Sequence, residues 1–118
     1  MKIYSVVLYK DYESKENSTE AFYQAVSDVE SGEQTANYFV SYEEAFAEYE
    51  KLTINRSAEK YGKVFRFDAK CLECAEISDE KYAERIKDGD SIEDIYVDAW
   101  YNQRNIEVEV SLPIVEYR

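Results

Sequence analysis

Two spacings in this chain are of the kind that hold metals or move electrons. Cys71 and Cys74 form a C-x-x-C around Leu72 and Glu73. A zinc site needs two further Cys or His ligands, and the chain has 2 cysteines and no histidine. A redox pair wants its first cysteine at a helix N-terminus, where the thiolate is stabilised, whereas Cys71 falls in a stretch that alternates like a strand. On a strand, residues three apart point to opposite faces. The pair therefore reads as two ordinary, half-buried cysteines. The second spacing is Asp88-Gly89-Asp90-Ser91-Ile92-Glu93-Asp94, dense enough in carboxylates to hold Ca²⁺ or Mg²⁺. Ile92 stands where an EF-hand places a ligand, and the sixth position is not glycine. A solvated loop at a helix end is the better reading.

The absence of histidine removes the commonest general base. With it go the Ser-His-Asp and Cys-His nucleophile systems as usually built. Only 3 glycines are too few for a Gly-rich phosphate loop. Paired carboxylates can do glycosidase-type acid–base work, but among 26 acidic residues some pair always falls at a suitable distance. Nothing in the sequence nominates one, and a domain of this size offers little room for a substrate cleft. The expectation is a protein that is not an enzyme, with no catalytic residue, no metal and no cofactor.

What remains is the carboxylates themselves. The net charge is −12, from 26 acidic and 14 basic residues. Residues 11–50 carry eleven acids against one base, and residues 76–98 carry nine against three. Between them, residues 51–75 hold six bases and three acids. Such a charge opposes direct binding to nucleic acid, which requires cations to displace counterions, and opposes docking on an anionic membrane. It favours, and would steer in, a basic partner. Glutamates on a strand face repeat every ~6.6 Å and those on a helix face lie ~5–6 Å apart, so a folded scaffold can present phosphate-like tracks. The residues expected to meet a partner are Glu43, Glu44, Glu48 and Glu50 in the first acidic block, and Asp88, Asp90, Glu93 and Asp94 in the second.

The elements that must position these acids follow from periodicity. Residues 42–54 read as the main helix. Ser41 and Glu44 make a capping box, and Val40 and Ala45 a hydrophobic staple. Tyr42, Ala45, Phe46, Tyr49 and Leu52 recur at helical spacing as one apolar stripe. Ser78 reads as the N-cap of a short second helix, with Asp79 and Glu80 in its first turn and Gly89 closing it. Its residues Tyr82, Ala83 and Ile86 are expected to face inward. Residues 2–10 are apolar on both parities and read as a central strand. Residues 11–20 read as a polar loop and residues 55–62 as a loop or a frayed extension of the helix, with Gly62 as a breaker. Residues 21–31 fit either a helix or a strand, with the β-forming Phe22, Tyr23, Val26 and Val29 tilting the reading to strand. Ser31-Gly32-Glu33 signals a turn, and 38–40 an extended piece. Residues 63–76 read as a long strand, with a bulge or an edge turning inward where Cys71-Leu72 breaks the alternation. Residues 95–101 and 106–112 read as a closing hairpin whose second strand has a wet face of Glu107, Glu109 and Ser111. The result is an α+β domain: a mostly antiparallel sheet of about four to five strands packed against one main helix plus a short second helix.

At 118 residues a single domain, 1–118, is expected. No stretch reaches the ~18 apolar residues of a membrane span, and the tyrosine-rich start is a poor signal peptide. Together with two reduced cysteines this reads as a cytoplasmic protein.

In size, charge, tyrosine content and lack of catalytic parts, the chain resembles the small acidic inhibitors of phages and mobile elements, the anti-restriction and anti-CRISPR proteins. The acidic blocks 11–50 and 76–98 and the helix beginning at Ser41 carry the resemblance. Those inhibitors share no single fold, so no site residue carries over. The resemblance implies a non-enzymatic protein that imitates nucleic acid and blocks a basic nucleic-acid-binding protein or nuclease, with surface tyrosines adding apolar contact. The alternative is a generic protein-interaction or structural accessory domain whose charge serves solubility. Oligomeric state stays open.

Overall fold

The computed structural model describes residues 1–16, 18–27, 32–56, 60–61 and 64–111. The elements run β1 (Lys2–Ser14), α1 (Thr19–Ser27), β2 (Glu33–Phe39), α2 (Tyr42–Lys51), β3 (Lys60–Tyr61), β4 (Val64–Glu76), α3 (Asp79–Lys87), α4 (Ile92–Asp98) and β5 (Arg104–Val110), with a 3₁₀ turn at Trp100–Asn102. The strands join in the order β2-β1-β4-β3, and β5 also pairs with β4. β3 pairs antiparallel with the start of β4, Lys60 opposite Phe65. Further along the same strand, Ser111 donates its N–H to the Asp68 carbonyl. The fold is α+β, as the sequence implies. No helix among the described residues is long and apolar enough to cross a membrane.

Backbone contacts gather into two compact units. One comprises Met1–Val7, Ala36–Lys51 and Cys71–Val108, and the other Leu8–Thr35, Leu52–Lys70 and the chain from Glu109. In the first, Ile3 and Ala75 from neighbouring strands meet Ile95, Tyr96 and Ala99, with Tyr38, Ile77, Tyr82 and Ile92 packed around them. Each large apolar side chain sealed there contributes ~1.5–3 kcal/mol. Successive strand residues point to opposite faces. Tyr4 accordingly faces away from that core, and its ring meets Tyr42 edge-on at 5.7 Å. Tyr42, Phe46 and Tyr49 stack in turn at 5.8 and 6.4 Å. In this unit α2 thus covers one face of the sheet and α4 the other.

In the second unit Tyr9 packs edge-on against Tyr12 at 5.4 Å and against Phe22 of α1 at 5.5 Å. Residues 9 and 12 would face opposite ways on a regular strand. Between them Asp11 lies in the left-handed region at φ 57°, a departure from regular strand geometry.

Several sequence expectations are corrected. Residues 11–14 continue β1 rather than opening a loop, and 19–27 form a helix, not a strand. Ser18 caps that helix: its Oγ accepts from the Ala21 N–H at 3.2 Å. The remainder of 21–31, residues 28–31, lies outside the described residues. β2 begins at Glu33, five residues before the short piece expected at 38–40. The main helix stops at Lys51, and residues 60–61 pair as β3 inside the expected loop. The closing hairpin is replaced by α4, the 3₁₀ turn and β5. The described residues therefore hold four α-helices where two were expected. In α3, Ser78 caps as expected, but Ala83 and Ile86 are exposed and only Tyr82 packs inward. Leu72 and Cys71 are both buried, so the broken alternation marks a strand covered on both sides.

Candidate functional site

α2 begins where the sequence places it. Ser41 Oγ accepts the Glu44 N–H at 3.4 Å, and the Ser41 hydroxyl donates to Glu43 Oε2 at 3.2 Å. The side chain that answers the cap is thus Glu43 rather than Glu44. Ala45 and Tyr49 are buried, which turns Glu43, Glu44 and Glu50 outward. Glu48 is half-buried, with Lys51 at 4.0 Å.

The second acidic group surrounds the α3–α4 junction. Asp88 is the C-cap of α3, and Gly89 takes φ 87° to turn the chain. Arg85 pairs with Asp90 and donates to Asp98 at 2.5 Å, tying the end of α3 to α4. Ser91 caps α4 by accepting the Asp94 N–H at 3.1 Å. Glu93 and Asp94 occupy the first turn, where the helix dipole favours anions.

Of the eight acids singled out in the sequence, Glu48 and Asp90 are ion-paired. The other six make no ion pair among the described residues. The two groups are not on one continuous face, because α2 and α4 cover opposite sides of the sheet.

The cysteines are buried and free. Burial, with help from the Glu73 charge, pushes the Cys71 thiol up to about 12. A thiol held protonated in this way is a poor nucleophile and a poor metal ligand. Among the described residues no cluster of His, Cys, Asp and Glu is arranged to hold a metal ion. A cleft of about 520 Å³ runs beside α3, lined by Lys81, Glu84, Arg85, Asp88 and Asp98. The serine in its wall, Ser78, already uses its oxygen to accept the Lys81 N–H.

Glu73 lies in a polar chain through the first unit. Ser5 donates to the Tyr96 oxygen at 3.1 Å, and Tyr96 donates to Glu73 Oε2 at 3.2 Å. Gln103 donates to the same oxygen. Burial raises the Glu73 carboxyl above its ordinary range, and the Tyr96 hydrogen bond only partly offsets it. A raised carboxyl contributes stability that is present below its unfolded pKa and lost as pH rises through the folded one. Glu73→Gln keeps the acceptor and removes the charge. At pH 7 it is expected to melt a few degrees above the parent, a gain on the order of 1 kcal/mol. The gap should close by about pH 4, near the ordinary carboxylate pKa. A gap that stays constant across melts from pH 4 to 8 would refute the assignment.

Sequence reasoning missed an apolar group at the end of α4. Val97, Trp100 and Tyr101 are 57%, 56% and 94% exposed. The signal was available in Ser91 followed by Asp94, and in Ile92, Ile95, Tyr96 and Ala99 at helical spacing. That pattern turns Val97, Trp100 and Tyr101 outward.

No protein-family model, curated protein or solved structure matches this chain.

Proposed function

We propose that this protein is a non-enzymatic acidic inhibitor that occupies the nucleic-acid groove of a basic protein, its carboxylates standing where phosphates would lie. The observation that supports this reading is the set of outward carboxylates that make no ion pair among the described residues, Glu43, Glu44 and Glu50 on α2 among them. An acid already neutralised internally has little charge left to offer a partner.

The placement of the two helices narrows the reading. A single groove meets one face, so one acidic group serves as the track. α2 is the better candidate. Glu43 and Glu50 lie two turns apart on one side, ~10 Å along the axis, with Glu44 beside them and exposed Tyr42 adding apolar contact.

The test is a pull-down from host lysate with this protein as bait, eluted in a salt gradient and challenged with added DNA or RNA. A basic nucleic-acid enzyme should leave at moderate salt and be displaced by nucleic acid. Glu43→Gln, Glu44→Gln and Glu50→Gln together should weaken that complex by roughly 10–100-fold, at ~0.5–1 kcal/mol per exposed charge. A partner held at high salt and indifferent to nucleic acid would sink mimicry and favour an accessory interaction domain.

A further inference from the structure

We infer that the elbow formed by the outer side of α4 and the 3₁₀ turn is a docking surface for a folded protein that presents arginines around an apolar socket. This surface is separate from the α2 track and does not depend on nucleic-acid mimicry.

The winding of the chain builds it. Ala99 donates its N–H to the Ile95 carbonyl at 3.0 Å, and Asn102 and Gln103 donate to Ala99 and Trp100 at 3.0 and 2.9 Å. The backbone therefore keeps coiling from α4 into the 3₁₀ turn. Ile95, Tyr96 and Ala99 are buried on the inner side. Val97, Trp100 and Tyr101 fall on the outer side, where a solvated helix normally carries polar groups. Trp100 is the only tryptophan of the chain. Leaving it and a 94% exposed tyrosine in water forgoes burial that aromatic side chains usually obtain. Trp and Tyr are also the residue types that dominate binding energy at protein interfaces.

The surrounding charge selects the occupant. Glu93 and Asp94 lie one turn before Val97 and make no ion pair among the described residues. Asp98 is 60% exposed, although it shares Arg85 with Asp90. Among the described residues the cation paired at this rim is Arg85, and it is divided between Asp90 and Asp98. The rim is thus net acidic around an aromatic centre. Arginine answers both parts, pairing with carboxylates and stacking on ring faces. A second copy of this chain fits poorly, because a symmetric pairing would set Glu93, Asp94 and Asp98 against themselves.

The test uses the whole chain and the emission of its single tryptophan. Two probes of equal charge are titrated: an amphipathic 18-residue Arg/Leu peptide and an Arg/Ser peptide of the same length. The Arg/Leu peptide should shift Trp100 emission to the blue and bind at least tenfold more tightly than the Arg/Ser peptide. Tyr101→Ser and Val97→Ser should each weaken it tenfold or more, with melting temperatures unchanged because both side chains are exposed. Glu93→Gln with Asp94→Asn should weaken both peptides. The α2 triple variant should bind like the parent, which separates this surface from the proposed inhibitory track. Emission that does not move, equal affinity for the two peptides, or binding lost in the α2 variant and kept in Tyr101→Ser would overturn the inference. So would a concentration-dependent dimer in sedimentation that Tyr101→Ser abolishes, since the occupant would then be a second copy.

Discussion

Replacing Asp68 with alanine is expected to destabilise the protein by about 3 kcal/mol, the lower end of the range for breaking a buried ion pair. For a chain of this length that is roughly a 10–15 °C fall in melting temperature. Asp68 is 7% exposed. Its carboxylate accepts from Lys10 Nζ at 3.0 Å, from the Asn55 N–H at 2.8 Å and from the Asp11 N–H at 3.2 Å. The variant strands one ammonium and two amide donors together. Lys10 is partly solvated, with a side chain 34% exposed, and it also donates to the Thr53 carbonyl at 3.1 Å. That is why the lower end of the range applies. Burial alone would raise the Asp68 carboxyl, but the donors, Asn55 and Lys10 foremost, outweigh it and hold it below its ordinary value. A lowered carboxyl contributes stability that is present above its unfolded pKa and lost as pH falls through the folded one. The parent should therefore lose stability on acidification below about pH 4, and Asp68→Ala should lose less there. A variant melting within about 2 °C of the parent, well under 1 kcal/mol, would show that the cluster contributes nothing net.

Phe22→Ala should be comparably severe, at about 3–5 kcal/mol. Phe22 is 1% exposed, and its ring lies 5.5 Å from Tyr9 and 5.2 Å from Tyr23. The alanine leaves a cavity between α1 and β1 that two flanking rings can fill only in part. Urea denaturation measures the loss. Tyr23→Ala, at a position 48% exposed, should cost under about 1 kcal/mol by contrast. Equal effects at the two positions would mean that α1 is not held through Phe22.

These two sites also show where the sequence is legible and where it is not. α2 and α3 can be read directly, because Ser41 and Ser78 sit immediately before a change to helical periodicity. α1 carries the same kind of signal in Ser18, with Phe22 and Ala25 three apart. Its aromatic and β-branched residues point to a strand, and packing against Tyr9 overrides that preference. α4 hides for the same reason, since Val97, Trp100 and Tyr101 look like strand residues until Ser91 is recognised as a cap. The Asp68 cluster is less accessible still. Alternation along β4 makes Asp68 and Lys70 look solvated, yet both are under 9% exposed. Lys70 donates to the Leu52 carbonyl at 3.1 Å and lies 3.6 Å from Glu109. Those partners are brought in by chain segments 18 and 39 residues away in sequence, which periodicity cannot report. The candidate acids are legible as residue types at given spacings along a helix. Which side of the sheet each helix covers depends on the parity of Ile3 and Tyr4, and only the folded chain shows it.

The two thiols on β4 have a consequence for how this molecule can be followed over time. Cys71 and Cys74 are 3% and 2% exposed, and the first is held protonated far above neutral pH. An alkylating reagent can reach them only when the strand opens. The rate of modification then counts those openings, and its dependence on reagent concentration separates their frequency from their duration. The unmodified chain thereby carries its own internal clock, set in its central strand.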